Sequence, residues 1–208
     1  MVTLSELKEK CREFEEIEGK ESFYNLASEI KDDHPLQAAV IILATWNRRE
    51  FSKLKNYKDY KEFLINLKEA LNSCKPLFDK LKDKEFRTSN FDDLANEIKE
   101  IYSKLSKIEG VKHTGASKVF HLFCPNLIVM WDSRIRRKYG KKKCREKYGI
   151  KIEGNNPTWQ DFLNFQKLMQ KIFGHIDWDE KEKTLPKAID EYNFVECHKR
   201  KGINICKK

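Results

Sequence analysis

Apolar residues along this chain recur mostly at three- and four-residue intervals, the spacing of helices with one buried face. Residues 4–17 and 22–31 carry short patterns of this kind. The stretch HPLQAAVIILATWNRREF sets Pro35 at a first helical position and runs apolar to Trp46, which predicts a helix at the centre of the core. In KDYKEFLINLKEALNSC, Tyr60, Phe63, Leu64, Leu67 and Leu71 share a face, with Pro76 marking the helix's end or a kink. Ser89 or Asn90 is placed to cap a following helix whose face is Phe91, Leu94, Ile98, Ile101, Tyr102 and Leu105. Thr158 with Asp161 has the form of a capping box ahead of WQDFLNFQKLMQKIF, and residues 184–193 read as one more short helix. At the end, FVECHKRKGINIC puts two β-friendly runs around Gly202, the pattern of a short hairpin. The prediction is an all-α fold, a compact two-lobed helical domain with a possible short C-terminal β-hairpin. Without repeats, low-complexity tracts or flexible linkers, residues 1–208 read as a single helical unit.

Charge adds a partner class to this picture. Lys and Arg number 42 against 33 Asp and Glu, a net +9. That surplus fits a polyanion, most often nucleic acid, or else a plain solvated surface of Lys and Glu. Abundant Lys and Glu also fit a thermophile, against which the many asparagines weigh mildly. No apolar run reaches membrane-spanning length, and the charged, amphipathic start MVTLSELKEKCREFEE is unlike a signal peptide. A cytoplasmic monomer is expected. Six scattered cysteines include no C-x-x-C pair, so free thiols are expected rather than structural zinc or iron–sulfur ligation. His113, His121 and Cys124 sit at irregular spacing without a fourth ligand, so neither a metal nor any other cofactor is expected.

Residues 110–137, GVKHTGASKVFHLFCPNLIVMWDSRIRR, hold the densest candidate chemistry. One amphipathic helix ends near Leu105, LSKIEGVKHTG turns, and a second helix, ASKVFHLF, follows with the small residue Ala116. This is a helix–hairpin–helix pattern. Its glycines let a turn approach a phosphate, and amides at the second helix's N-terminus hold the anion. Gly110, Lys112, Thr114 and Gly115 are the candidate phosphate contacts. Next, RIRRKYGKKKCREK carries nine basic residues and one acid, and on one helix Arg134, Arg137, Lys138 and Lys141 would share a side as a DNA-phosphate surface. The HKRKG segment is a second, smaller basic patch.

Gly110, Val111 and Ala116, followed by an apolar helix and then IVMWD, resemble the helix–hairpin–helix and Asp signature of the base-excision DNA glycosylase superfamily, which includes endonuclease III and the 8-oxoguanine DNA glycosylases. The resemblance spans roughly residues 100–140, with the hairpin and Asp loop at about 94–133. It implies double-stranded DNA as partner, excision of a damaged base such as 8-oxoguanine, and AP lyase activity through a lysine Schiff base. Two positions depart from the signature. Lys112 replaces the hairpin's final glycine, and Thr114 stands where bifunctional members carry the catalytic lysine. Lys118 lies four residues after Thr114, one turn along the same helical face.

By this resemblance Asp132 stabilises positive charge on the sugar and Lys118 attacks the anomeric carbon. As a residue ahead of SRIRRKYG, Asp132 also reads as a plain helix N-cap, and Lys118 as a solvated or phosphate-contacting lysine. Trp46, Phe120, His121 and Trp131 line a base pocket in this reading, or are ordinary core residues. The alternatives are a non-catalytic helix–hairpin–helix DNA-binding protein and a helical protein-interaction domain.

Overall fold

The computed structural model describes residues 2–19, 22–153 and 155–198. They form an all-α structure, with no β-strand among them. Helix α1 (Leu4–Glu18) opens on a reciprocal capping box between Thr3 and Glu6. It is followed by α2 (Phe23–Ile30) and α3 (Pro35–Trp46), which starts at Pro35 and buries Ala38, Ala39, Ile42 and Leu43. A single turn, α4 (Arg48–Phe51), leads to α5 (Tyr57–Leu81). Pro76 neither ends nor borders α5, which continues five residues beyond it. Burial of Phe78 and Leu81 in that last turn offsets the hydrogen bond the proline removes.

Helix α6 (Ala95–Ser106) starts later than the sequence pattern predicts, because Asn90 caps a preceding turn: its Oδ1 accepts from the Asp92 amide at 3.1 Å. Phe91 and Leu94 are buried from that turn rather than from the helix. Helix α7 (Lys112–Phe123) follows, then α8 (Ser133–Tyr139) and α9 (Lys142–Tyr148). The basic run is therefore two short helices broken at Gly140. Lys141 is the N-cap of α9 and does not extend the face of α8. Helix α10 (Trp159–Phe173) opens on the expected Thr158–Asp161 capping box. Helix α11 (Leu185–His198) runs through Phe194–Cys197, the first half of the expected hairpin. Val195 is buried there and the Phe194 ring packs edge-on against Phe14 of α1 at 5.3 Å, so tertiary contact overrides local β preference. The remainder of that hairpin, including Gly202, lies outside the described residues. No helix among those described is long and apolar enough to cross a membrane.

One contiguous buried cluster extends from Leu7 to Ile189. At its middle Tyr102 stacks on Phe162 at 4.4 Å, and Trp131 meets Phe162 at 5.1 Å with the rings 69° apart. The turn between α6 and α7 is held from α3's end. Asn47 is buried and its amide donates to the carbonyls of Gly110 (3.0 Å) and Val111 (2.9 Å). Gly115 permits the close approach of α7 to α3, since a Cβ there would lie 2.6 Å from Leu43 Cδ2 and 2.7 Å from Asn47 Nδ2.

Between α7 and α8, residues 127–132 cross the core as irregular chain, the apolar approach to Asp132. Leu127 to Trp131 are all buried, so their peptide groups need partners other than water. The Leu127 and Ile128 amides donate to Cys124 O at 3.1 Å, and side chains serve Ile128 O, Val129 and Trp131. Gln166 of α10 accepts from Val129 N (2.8 Å) and donates to Val129 O (2.9 Å), pairing with the peptide as a neighbouring strand would. Ser117 Oγ accepts from Trp131 N at 3.2 Å and lies 3.0 Å from Trp131 O. His121 Nδ1 donates to Ile128 O. Replacing Gln166 by Leu orphans both polar groups of Val129, and urea unfolding should register a loss of about 2–4 kcal/mol. A change under about 0.5 kcal/mol would refute the role given to this amide.

Candidate active-site cleft

A cleft of about 760 Å³ opens where the ends of α3, α7, α8 and α11 meet. Helix α7 contributes Lys112, Thr114 and Lys118; the start of α8 contributes Asp132, Arg136 and Arg137; and α11 contributes Asp190, Phe194 and His198. Arg48, Arg49 and Lys53 from α4 and beyond complete an exposed basic rim, with Glu50 and Glu18 as the nearby acids.

Asp132 is the N-cap of α8. Its Oδ1 accepts from the amides of Arg134 (2.7 Å) and Ile135 (2.8 Å). Its Oδ2 lies 2.7 Å from His198 Nε2. Arg134 Nη1 lies 3.2 Å from His198 Nδ1, and an arginine only donates, so in the neutral ring the proton sits on Nε2, directed at Asp132. Burial acts to raise the Asp132 pKa; the His198 bond, the Ile135 amide and the Lys118 charge outweigh it, and the net shift is downward. Capping and an ionised cleft carboxylate therefore coexist in one residue.

Lys118 Nζ donates to the Trp46 carbonyl at the negative end of α3 and lies 5.8 Å from the Trp46 ring centroid. Burial pushes its pKa down, against the opposing charges of Asp190, Asp132 and Glu18, and remains the larger effect. Thr114 and Lys118, one turn apart, both border the cleft.

The other expected site residues divide. Trp46 lines the cleft, stacked on Tyr24 at 5.5 Å, and the fully buried Trp131 backs its wall, giving its Nε1–H to His113 O at 3.1 Å. Phe120 and His121 do not reach it. Phe120 faces Phe78 and Phe162 in the core. His121 is fully buried with Nε2 on the Tyr24 hydroxyl (2.8 Å), and burial pushes its pKa down to about 3, so it is a neutral structural group. Gly110 and Gly115 are likewise buried in packing, Gly110 of the turn against Leu54 and Phe63, and Gly115 of α7 against Leu43 and Asn47. Lys112 stays at the lip, paired with Glu109 at 2.6 Å. Arg137 is at the rim, whereas Arg134, Lys138 and Lys141 lie beyond the lining, Lys138 over the rings of Tyr139 and Tyr192. His113 pairs with the Tyr102 hydroxyl at 3.2 Å, Cys124 is buried, and among the described residues no group of three or more His, Cys, Asp or Glu side chains is placed to hold a metal.

Among the cleft residues that no sequence motif singles out are Asp190 and Arg136. Asp190 lies more than fifty residues from the motif with nothing near it to mark a site, and His198 is marked only as the first residue of the HKRKG basic patch. Arg136 was hidden inside the basic run. No family model, curated protein or solved structure matches the chain.

Asp190 is the unusual acid of the group. Burial pushes its pKa up to about 6 despite the attraction of Lys187, 3.9 Å away, and of Lys118; the charges of Glu191 and Asp132 add to the rise. A carboxyl raised this far above its unfolded value of about 3.9 contributes stability below pH 4 that is lost as pH climbs through 6, about 3 kcal/mol in all. Asp190→Asn removes that dependence. Urea unfolding between pH 4 and 8 should show the variant gaining on the parent as pH rises, and parallel pH profiles would contradict the assignment.

Proposed function

We propose that this protein is a DNA glycosylase with AP lyase activity on double-stranded DNA, consistent with the resemblance of residues 100–140. The observation that carries the reading is the meeting of Lys118 and Asp132 in one basic-rimmed cleft: an amine whose charged form burial disfavours, beside a carboxylate kept ionised at a helix N-terminus. The target nucleotide is turned out of the duplex into the cleft, with the half-buried Trp46 ring as a stacking face. Asp132 stabilises positive charge as the glycosidic bond breaks. The Asp190 carboxylate accepts a proton from the Lys118 ammonium, the free amine bonds to C1′, and Asp190 returns the proton to the departing base. The amine bound to C1′ then gives one of its two protons to the ring oxygen O4′ as the C1′–O4′ bond opens, and keeps the other in the protonated Schiff base from which the strand is cut. The damaged base is the finer question, and 8-oxoguanine is the first candidate.

A second reading, a non-catalytic double-stranded DNA-binding protein, draws on the Trp46 carbonyl that already engages Lys118. Borohydride trapping on duplexes bearing 8-oxoguanine, uracil, hypoxanthine or an abasic site separates the two. The enzyme reading expects a covalent adduct that Lys118→Gln abolishes, and base release that Asp132→Asn slows by about 10²–10³-fold. Salt-sensitive duplex binding with every substrate intact selects the binding protein. Absence of duplex binding at low salt excludes both.

A further inference from the structure

Arg136 is 7% exposed, yet it forms no ion pair with a carboxylate among the described residues. Nη1 reaches Thr114 Oγ1 at a long 3.5 Å, Nε has no hydrogen-bond partner, and the guanidinium lies 5.2 Å from the Trp131 ring centroid. The carboxylate whose charge reaches it, Asp132, has its oxygens on two α8 amides and His198. A buried cation with unfilled donors is costly unless an anion completes it, and a face-on aromatic ring supplies only part of that.

This guanidinium borders the cleft together with Thr114, Lys112 and Arg137. We propose that Arg136 is the anchor of a phosphate subsite in the cleft wall: its planar fork binds two phosphate oxygens, Thr114 Oγ1 donates to a third, and Lys112 and Arg137 supply long-range charge from the lip. A planar guanidinium with Nε unpartnered and Nη1 held only by a long contact suits a phosphate oxyanion, and the surrounding cations favour that multiply charged group. The phosphate belongs to a nucleic-acid backbone or to a free nucleotide; both present the same chemistry. The subsite requires no base excision and stands whether or not Lys118 forms an adduct.

Thermal unfolding of the full chain at constant ionic strength tests it, with inorganic phosphate, dGMP or chloride as probe, alongside duplex-DNA binding by anisotropy. Phosphate and dGMP should raise Tm above the chloride value, and Arg136→Met should abolish that rise while leaving the chloride Tm equal or higher, because it removes an uncompensated buried charge. Arg136→Lys keeps charge without the fork and should retain less than half of the rise, which guards against a Met variant that does not fold. A nucleic-acid source predicts that Arg136→Met weakens duplex binding by roughly 30-fold and lowers the salt slope by about 1. Unchanged duplex affinity with the dGMP response lost assigns the subsite to a free nucleotide. Parent protein that responds to phosphate and dGMP no more than to chloride, with duplex affinity equal in parent and Arg136→Lys, overturns the proposal.

Discussion

A buried length of extended chain without a neighbouring strand must find partners for its peptide groups inside the protein, and in residues 127–132 side chains supply them at three places. Gln166 pairs with Val129, His121 with Ile128 and Ser117 with Trp131. Those partners come from two helices, α10 and α7, so the segment is tied between them. Its far end is Asp132, and the place of that carboxylate follows from these contacts rather than from loop preference. The same clasp orients Trp131, whose ring meets Tyr102 and Phe162 at steep angles and lies 5.2 Å from the Arg136 guanidinium. A polar network inside an otherwise apolar core tolerates few alternatives, because each half-satisfied arrangement leaves a buried peptide group unpaired.

Charge beneath the cleft is organised by the same demand. Lys183 and Lys187 grip the two oxygens of the buried Glu191 at 2.7 and 2.8 Å, and Lys183 also holds Glu15 at 2.8 Å. Lys187 then sits 5.0 Å from the Trp46 ring centroid and 4.6 Å from that of Phe14. Trp46 thus has cations near it from both Lys187 and Lys118, and its ring and carbonyl are electron-rich partners for them. Asp190 faces this group with its neighbours already committed: Glu191 takes the closest ion pair of Lys187, and the Trp46 carbonyl takes Lys118. Burial raises its pKa, and the long 3.9 Å approach of Lys187 offsets only part of that rise.

Helices whose ends are written in side chains were legible. Pro35 and the Thr158–Asp161 box mark starts that the structure keeps. The apolar approach to Asp132 was legible too, since a run as apolar as LIVMW has no place on a surface. What failed was local preference contradicted by packing. Asn90 satisfies a turn before it can cap a helix, Pro76 is carried by buried neighbours, and Phe194–Cys197 go helical against α1. For the cleft, the residues near the motif were visible as candidates, but their directions were not. Gly115 is packed against Leu43 and Asn47 and His121 against Tyr24 of α2, and no spacing rule in α7 reveals where those neighbours lie. Asp190 was illegible for a plainer reason, since an acid on an amphipathic helix carries no mark until that helix is docked, and the HKRKG patch gave no sign that its His198 meets Asp132.

The hairpin shows how tertiary contact replaces a local requirement. Gly110 has φ +83° and Lys112 φ +53°, so the turn enters the left-handed region at two nearby positions, the second with a side chain that disfavours it by roughly 1–2 kcal/mol. The Asn47 amide explains why the turn keeps its shape, because it holds the Gly110 and Val111 carbonyls immediately before the strained residue. With the backbone fixed from outside, glycine is no longer needed at 112, and that position is free to carry charge. Lysine there places an ammonium at the lip of the cleft, on the same helix as Lys118 and close to the Thr114 hydroxyl that meets Arg136. Conformational strain at the turn and electrostatic potential in the cleft are therefore two consequences of one residue, and Asn47 makes that residue tolerable.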